Sequence, residues 1–570
     1  MKKHIRLVTI LLGLLLSLAL FGCTADGGET VSLSADTETE PASRLTMPTV
    51  FADGMVLQRQ KPINVFGYCE TDGATVRATL DGVSAEGTVS DGRFNVTLPA
   101  TEAATDLVLA VELVGDPDST LTYSSVSVGE VWVISGQSNA DHEAWKLEDV
   151  AEYVANANNY HNLYLYTTPN TYTQKPDLIG KGKWVKMDRN TLVGKERVSA
   201  HMYVTATILA SELGEDIPVA VMNVAKTGSG ITTWLDYETL YSIDRTSAQR
   251  FKAYDEFYDE HGFYPRSTED SPYYLQNTTA KPYASLGTIC YNTYLAHLEG
   301  YSARGVVWHQ GESNVGGTYG YYTDCFGGLL DVMRRVFGGD PELPMFQVQL
   351  SSYADSNPSR TAPFKAEQYD IVRRYESTYI ISAVDGGTPM NTIDLKSGLV
   401  HSSRKSPIGV RCANSILANV YGINNGDYSN APRPVSVVAV GSSIKITFDS
   451  PLYLTYGDKV KGFELYQNGG WYTAEGVIDG CTVTLSASGV TSPTRVRYGF
   501  GSYMLEMQDG TVYEMVGYEA GGSCTDIILA NGTRVTMYPD DGSRIRLMTP
   551  GNLSNASGEP LFIFDLEKEN

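Results

Sequence analysis

Between Met47 and about Val126 the apolar positions come in short alternating or β-branched runs, "KPINVFGYC", "ATVRATL", "GRFNVTL" and "DLVLAVELV", separated by Gly, Asp and Pro. Runs of this period, bounded by turn residues, predict a small antiparallel β-sandwich over residues 45–126. The pattern then changes. "EVWVIS", "IPVAVMNVA", "RGVVWHQG", "LPMFQVQL" and "YIISAVDGG" are continuously apolar, and they alternate with stretches of helical period such as "MYVTATILASELG" and "CFGGLLDVMRRVFG". Strands buried on both faces and interleaved with helices predict an α/β domain with a parallel sheet over residues 127–432. Each apolar run hands over to a Gly-rich or polar loop, and the carboxyl ends of such strands are where open α/β sheets build their sites. A Tyr-, Asp- and Glu-rich insertion at about 236–285 reads as a surface excursion, with a substrate-gripping lid as the alternative. Alternation returns after Arg433-Pro434 in "VSVVAVGSSIKITF", "KGFELYQ" and "TVTLSASG", which predicts a β-rich domain over 433–570. The stretch from about Ser502 to Met548 is assigned to no particular element.

The N-terminus follows different rules. Lys2, Lys3 and Arg6 precede an apolar run from Leu7 to Phe21, too short for a comfortable membrane span and typical of an export signal. Leu20-Phe21-Gly22-Cys23 has the form of a bacterial lipoprotein cleavage box, which makes 1–23 a signal segment and Cys23 a lipidation site. Residues 24–44, rich in Thr, Ser, Glu and Asp, then form a solvated tether. An exported, cell-surface location follows, with the membrane reached only through Cys23; plain secretion is the alternative.

Length and charge narrow the function. A chain of 570 residues needs several domains. A formal net charge of -23 repels nucleic acid and anionic membrane surfaces, so neither is an expected partner. Apart from Cys23 the cysteines are Cys69, Cys290, Cys325, Cys412, Cys481 and Cys524, scattered without a CxxC pair, so no structural zinc is expected and any disulfide pairing is left open.

The candidate chemistry lies at the ends of the apolar runs. "VWVISGQSNADHEAW" carries a strand into Gly136-Gln137-Ser138-Asn139, where Ser138 stands either as a nucleophile or as a turn serine. A serine nucleophile needs a base, an acid to orient that base, and donors for the oxyanion. Among the eight histidines, His401 has the best setting. It precedes a helix that Ser406 is expected to cap and Pro407 to open. His4 leaves with the signal, His142, His161 and His261 lie in polar stretches, and His297 falls on a predicted helix. His309 ends the run "VVWHQGESN", with Gln310 and Glu312 beside the strand tip. "VMNVAKTGSGITTW" ends in Gly228-Ser229-Gly230, where glycine lets a backbone N–H approach a substrate closely.

Gly136-Gln137-Ser138-Asn139, Gly228-Ser229, Trp308-His309-Gln310-Gly311-Glu312-Ser313-Asn314 and His401 together resemble the sialate O-acetylesterase family, a branch of the SGNH hydrolases. The similarity extends from "MPTVFADGMVLQRQKPINVFGYCETDGATV" through "YNTYLAHLEGYSARGVVWHQGESN" to the final "GNLSNASGEPLFIFD". The resemblance implies a three-layer α/β/α domain flanked by the two β-rich ones. It implies that Ser138 attacks an acetyl carbonyl and that His401 is the general base. The N–H groups of Ser138 and Gly228 and the Gln310 amide would serve the oxyanion, with no metal or organic cofactor. Family members carry an Asp two or three residues before the histidine and a Pro after it; here Gly398, Leu399 and Ser402 hold those places. Glu312 is therefore the first choice as orienting acid, with Asp394 and Asp385 as alternatives. Asn139, Asn314 and Arg404 are expected to touch substrate, with Lys405 beside Arg404 as a further basic candidate. Ala140 and Asp141 replace the usual Met and Glu and would reshape the acyl pocket. The expected substrate is an acetylated carbohydrate, with O-acetylated sialic acid first and a plant polysaccharide such as xylan second. A catalytically weak glycan-binding protein is the remaining alternative.

Overall fold

The computed structural model describes residues 44–173, 175–194, 196–262, 269, 286–351, 358–385, 401, 404–424, 430–507, 509–520, 525–537, 546–548 and 550–569. Its centre is β1, a single strand from Asp116 to Gly136. Five further strands and one hairpin partner complete the central sheet: β2 (Leu163–Thr167), β3 (Lys183–Lys186), β4 (Val219–Asn223), β5 (Gly305–His309), β6 (Met345–Gln349) and β7 (Thr378–Ser382). They run in the order β3-β2-β4-β1-β5-β6-β7, parallel throughout except for the β2–β3 hairpin. The long apolar runs reflect burial on both faces. Along β1, Val131 and Val133 enter one core with helix α2 (Tyr321–Val336) and part of α3 (Pro358–Arg374). The intervening Trp132 and Ile134 enter another with α1 (Ala200–Leu213) and α4 (Ser406–Val420). This is the three-layer α/β/α arrangement. From β1 the chain passes first to β2 and β3, returns to β4 beside β1, and then crosses to β5 on the other side, so the connections diverge at the carboxyl end of β1 and leave a crevice there.

The N-terminal β region has a three-stranded sheet and a second group of strands sharing its core. Its last strand is β1 itself, which pairs with Ala104–Leu113 before continuing into the central sheet. The expected boundary at 126/127 thus falls inside one unbroken strand. Glu130, buried on that strand, accepts from Arg304 Nε at 2.7 Å and Gln58 Nε2 at 3.1 Å and also pairs with Arg59. Burial would push its carboxyl up, but these donors hold it below the usual carboxylate range.

The insertion after Asp236 opens with two helices, Tyr237–Ile243 and Arg245–His261, each begun by an aspartate capping a backbone N–H: Asp236 for Thr239 and Asp244 for Ser247. Helix α4 starts one residue differently from expectation. Lys405 occupies the N-cap position and Pro407 the first turn, while the Ser406 hydroxyl donates to Asp149 Oδ1 at 2.7 Å instead of capping.

Beyond residue 433 lie two four-stranded antiparallel sheets with a common core. The unassigned stretch before Met548 is a further antiparallel sheet of five strands between Met504 and Met548. The last segment returns to the α/β domain. Gln349, at the end of β6, exchanges two hydrogen bonds of 3.0 Å with the Ile563 backbone. Cys69, Cys290, Cys325, Cys412 and Cys481 are free thiols, and Cys23 and Cys524 lie outside the described residues.

Candidate active site

The carboxyl ends of β1, β4 and β5 are knitted together at Gly136. Its carbonyl accepts from Lys226 N at 2.8 Å and from the Ser229 hydroxyl at 3.3 Å, and the next amide, of Gln137, donates to His309 O at 3.0 Å. Gly136 has a φ of +130°, and a Cβ there would stand 2.2 Å from His309 O. Only glycine lets the β1 and β5 tips meet this closely. The chain then turns sharply, with the N–H groups of Ala140 and Asp141 both donating to Gln137 O, which lifts Ser138 out of the sheet.

His401 lies just ahead of α4. Its Nε2 lies 2.6 Å from Ser138 Oγ. A hydroxyl on an imidazole nitrogen at this distance has the geometry for proton transfer as attack begins. Gly228 sits in the loop after β4 with a φ of +78°. Among the described residues neither the Gly228 nor the Ser138 N–H has a backbone partner, so both are open to a ligand oxygen.

Gln310, expected as the side-chain oxyanion donor, is committed elsewhere. It is buried, and its Nε2 lies within bonding distance of Gln137 Oε1 (3.1 Å), Ser229 O (3.1 Å) and Asn314 Oδ1 (2.7 Å). Two amide hydrogens facing three protein acceptors leave none for substrate. Gln310 therefore ties the three loops together. Asn314 Oδ1 also accepts from Ile231 N at 3.1 Å, while its Nδ2 hydrogen-bonds no described residue.

Glu312, the first choice for orienting His401, is turned the other way. Gly311, with a φ of +154°, starts a short 3₁₀ turn that directs the carboxylate toward the Ser138 loop. There Oε1 accepts from Asn139 Nδ2, and the buried Oε2 hydrogen-bonds no described residue, so neither oxygen meets His401. Asp385 follows β7 and takes a bidentate pair from Arg411 of α4, at 2.6 and 2.8 Å. Asp394 lies outside the described residues. Asn139, expected at the substrate, is buried; its Oδ1 accepts from Lys405 Nζ at 2.7 Å. Arg404 is partly exposed, with its Nε 3.9 Å from Glu148.

Three supports gave little warning in the sequence. Gln137 is buried and its Oε1 also accepts from Ser313 N at 3.1 Å, locking the β1 and β5 loops. Arg197 joins Asp141 (2.7 Å) to the carbonyls of Thr168 (2.6 Å) and Ala225, bridging the loops after β1, β2 and β4. Both are single polar residues in otherwise ordinary loops; the one local signal is Gln137's place beside Ser138. The third is a pair of buried imidazoles beside half-buried His142. His201 Nε2 and His309 Nδ1 are 3.3 Å apart, and burial pushes His201 down to about 3 and His142 to about 2. Among the described residues no group of three or more His, Cys, Asp or Glu is arranged to hold a metal ion.

No family model matches the chain. Sialate O-acetylesterase from Mus musculus is 23% identical over 447 residues, covering 72% of this chain and 80% of the mouse protein. The Homo sapiens sialate O-acetylesterase is 22% identical over 441 residues, with 72% and 78% covered. A crystal structure of a carbohydrate acetylesterase from Xanthomonas citri superposes with a TM-score of 0.66 at 24% identity, covering 92% of this chain and 99% of the other. The strand order, the Ser138 turn and these relatives agree: the chain is similar to sialate O-acetylesterases, and it shares the three-layer α/β/α fold of the carbohydrate acetylesterase.

Proposed function

We propose that the protein is a carboxylic ester hydrolase that removes acetyl groups from carbohydrate by a serine mechanism. The observation that carries this reading is the 2.6 Å approach of His401 Nε2 to Ser138 Oγ at the switch point of the sheet. Ser138 attacks the acetyl carbonyl while His401 takes its proton. The N–H groups of Ser138 and Gly228 receive the developing oxyanion, and Asn314 Nδ2, which hydrogen-bonds no described residue, adds a third bond. His401 then returns the proton to the departing sugar hydroxyl, and water, activated by the same imidazole, releases acetate and restores the serine. The family-level function of the relatives, carbohydrate and sialate deacetylation, supports the bond cleaved. O-acetylated sialic acid is the first substrate on this reading, and Arg404, the partly exposed cation beside the base, is its partner for the sugar carboxylate. The N-terminal sequence supports export and a lipid tether at Cys23, and on this reading the enzyme works at the cell surface.

Acetate release across acetylated sialic acids, acetylated xylan oligomers and pectin fragments tests the proposal. Ser138→Ala is expected to lower kcat roughly 10⁴-fold or more with an unchanged unfolding transition. Full activity in that variant removes Ser138 from the mechanism. Preference for xylan or pectin transfers the assignment to plant polysaccharide. Glycan binding with no ester cleaved by the wild-type protein leaves only a binding function.

A further inference from the structure

Behind the Ser138 turn lies a buried polar chain that the reaction as written does not use. Lys405 is fully buried at the N-cap of α4, four residues after His401, and its Nζ donates to Asn139 Oδ1 at 2.7 Å. Asn139 Nδ2 donates in turn to Glu312 Oε1. Lysine only donates and carboxylate only accepts, so the amide has one permitted orientation. Glu312 also feels the ammonium of Lys365, a fully buried α3 residue whose Nζ hydrogen-bonds no described residue. A carboxylate between two buried lysines is compensated, whereas any of the three alone would carry a heavy desolvation cost. The consequences show in their titration. Burial pushes Glu312 up and pushes Lys405 and Lys365 down to about 8 and about 7, each opposed by its charged neighbours.

The chain joins segments that must meet for catalysis. Ser138 precedes Asn139 on the β1 turn, His401 precedes Lys405 on the approach to α4, and Glu312 follows the β5 tip. We propose that Lys405 is a positioning residue, which through the Asn139 side chain and its anchor on Glu312 holds the nucleophile turn at hydrogen-bonding distance from His401. The proposal rests on the serine mechanism above and gives Glu312 a place in it other than behind the histidine. Lys405 touches neither Ser138 nor, on this reading, substrate, so its loss slows the chemical step and leaves ground-state binding of a small ester intact.

Lys405→Met keeps the aliphatic stem and removes the ammonium. With an aryl acetate its kcat is expected to fall roughly 10- to 100-fold with KM changed less than about twofold, the effect of a misplaced reacting group. Glu312→Gln should show the same split. Both act through Asn139, so the double variant is expected to be no slower than the slower single variant. A wild-type kcat in Lys405→Met, or losses that multiply in the double variant, overturns the proposal. If Lys405→Met does not fold, the double variant, which removes one charge of each sign, carries the measurement: a 10- to 100-fold lower kcat supports the proposal and a wild-type kcat overturns it. Ser138→Ala, assayed alongside, separates the two readings. Activity surviving there removes the serine mechanism, while an inactive Ser138→Ala beside a fully active Lys405→Met removes only the positioning role.

Discussion

Three carboxylates compete for the post behind His401, and two of them have described partners. Glu312 is engaged with Asn139, and Asp385 is clamped by both guanidinium nitrogens of Arg411. Asp394, seven residues before His401, lies outside the described residues. In a series of Asp394→Asn, Glu312→Gln and Asp385→Asn, the largest loss of kcat is therefore expected for Asp394→Asn, roughly 10³- to 10⁴-fold, the typical cost of an unoriented base. Glu312→Gln should lose less, and Asp385→Asn should lower the denaturation midpoint more than kcat, because it strips half the charge from a buried Arg411 pair. An Asp394→Asn enzyme with wild-type kcat would return the post to one of the other two. Ser138 and His401 were legible as residues because each sits in a recognisable local motif. The direction of Glu312 was not legible, because it is set by the backbone turn at Gly311, which no residue count along the chain reveals.

At the scale of elements, β1 does two jobs. Its first half completes the N-terminal β region and its second half is the middle strand of the parallel sheet, so the nucleophile turn is braced from both sides. The brace depends on the contact of Gly136 with His309 O. Gly136→Ala must move either the β1 or the β5 tip, and at a φ of +130° the new side chain is strained as well. The expected cost is roughly 2–4 kcal/mol in urea denaturation, with kcat reduced at least as far as in Lys405→Met. A variant with unchanged stability and rate would mean that the tips give way freely. The strands themselves were readable because burial on both faces leaves a continuous apolar run of a length no exposed loop has. The five strands between Met504 and Met548 were not, since their apolar residues are interrupted by Gly and Asp and their pairing crosses from Met504–Glu506 to Arg546–Met548.

For the molecule as a whole, the net charge of -23 repels anionic partners unless a local cation captures them. With Cys23 lipidated, the wild-type full-length chain made in a bacterium is expected in the detergent phase and Cys23→Ser in the aqueous phase; a wild-type chain in the aqueous phase would leave plain secretion. The C-terminal domain is part of the same body as the site, because the Ile563 backbone is bonded to Gln349 at the tip of β6. The sequence by itself determined the α/β class and the buried sheet strands and singled out Ser138 and His401 as a candidate pair, because periodicity and short motifs are local properties of the chain. Only the tertiary structure decided that Gln310 braces rather than donates, that Asn139 faces inward, and that residues 139, 312 and 405 form one chain. Those roles depend on which acceptor lies within about 3 Å, and distances between segments far apart in sequence exist only once the strands have found their order.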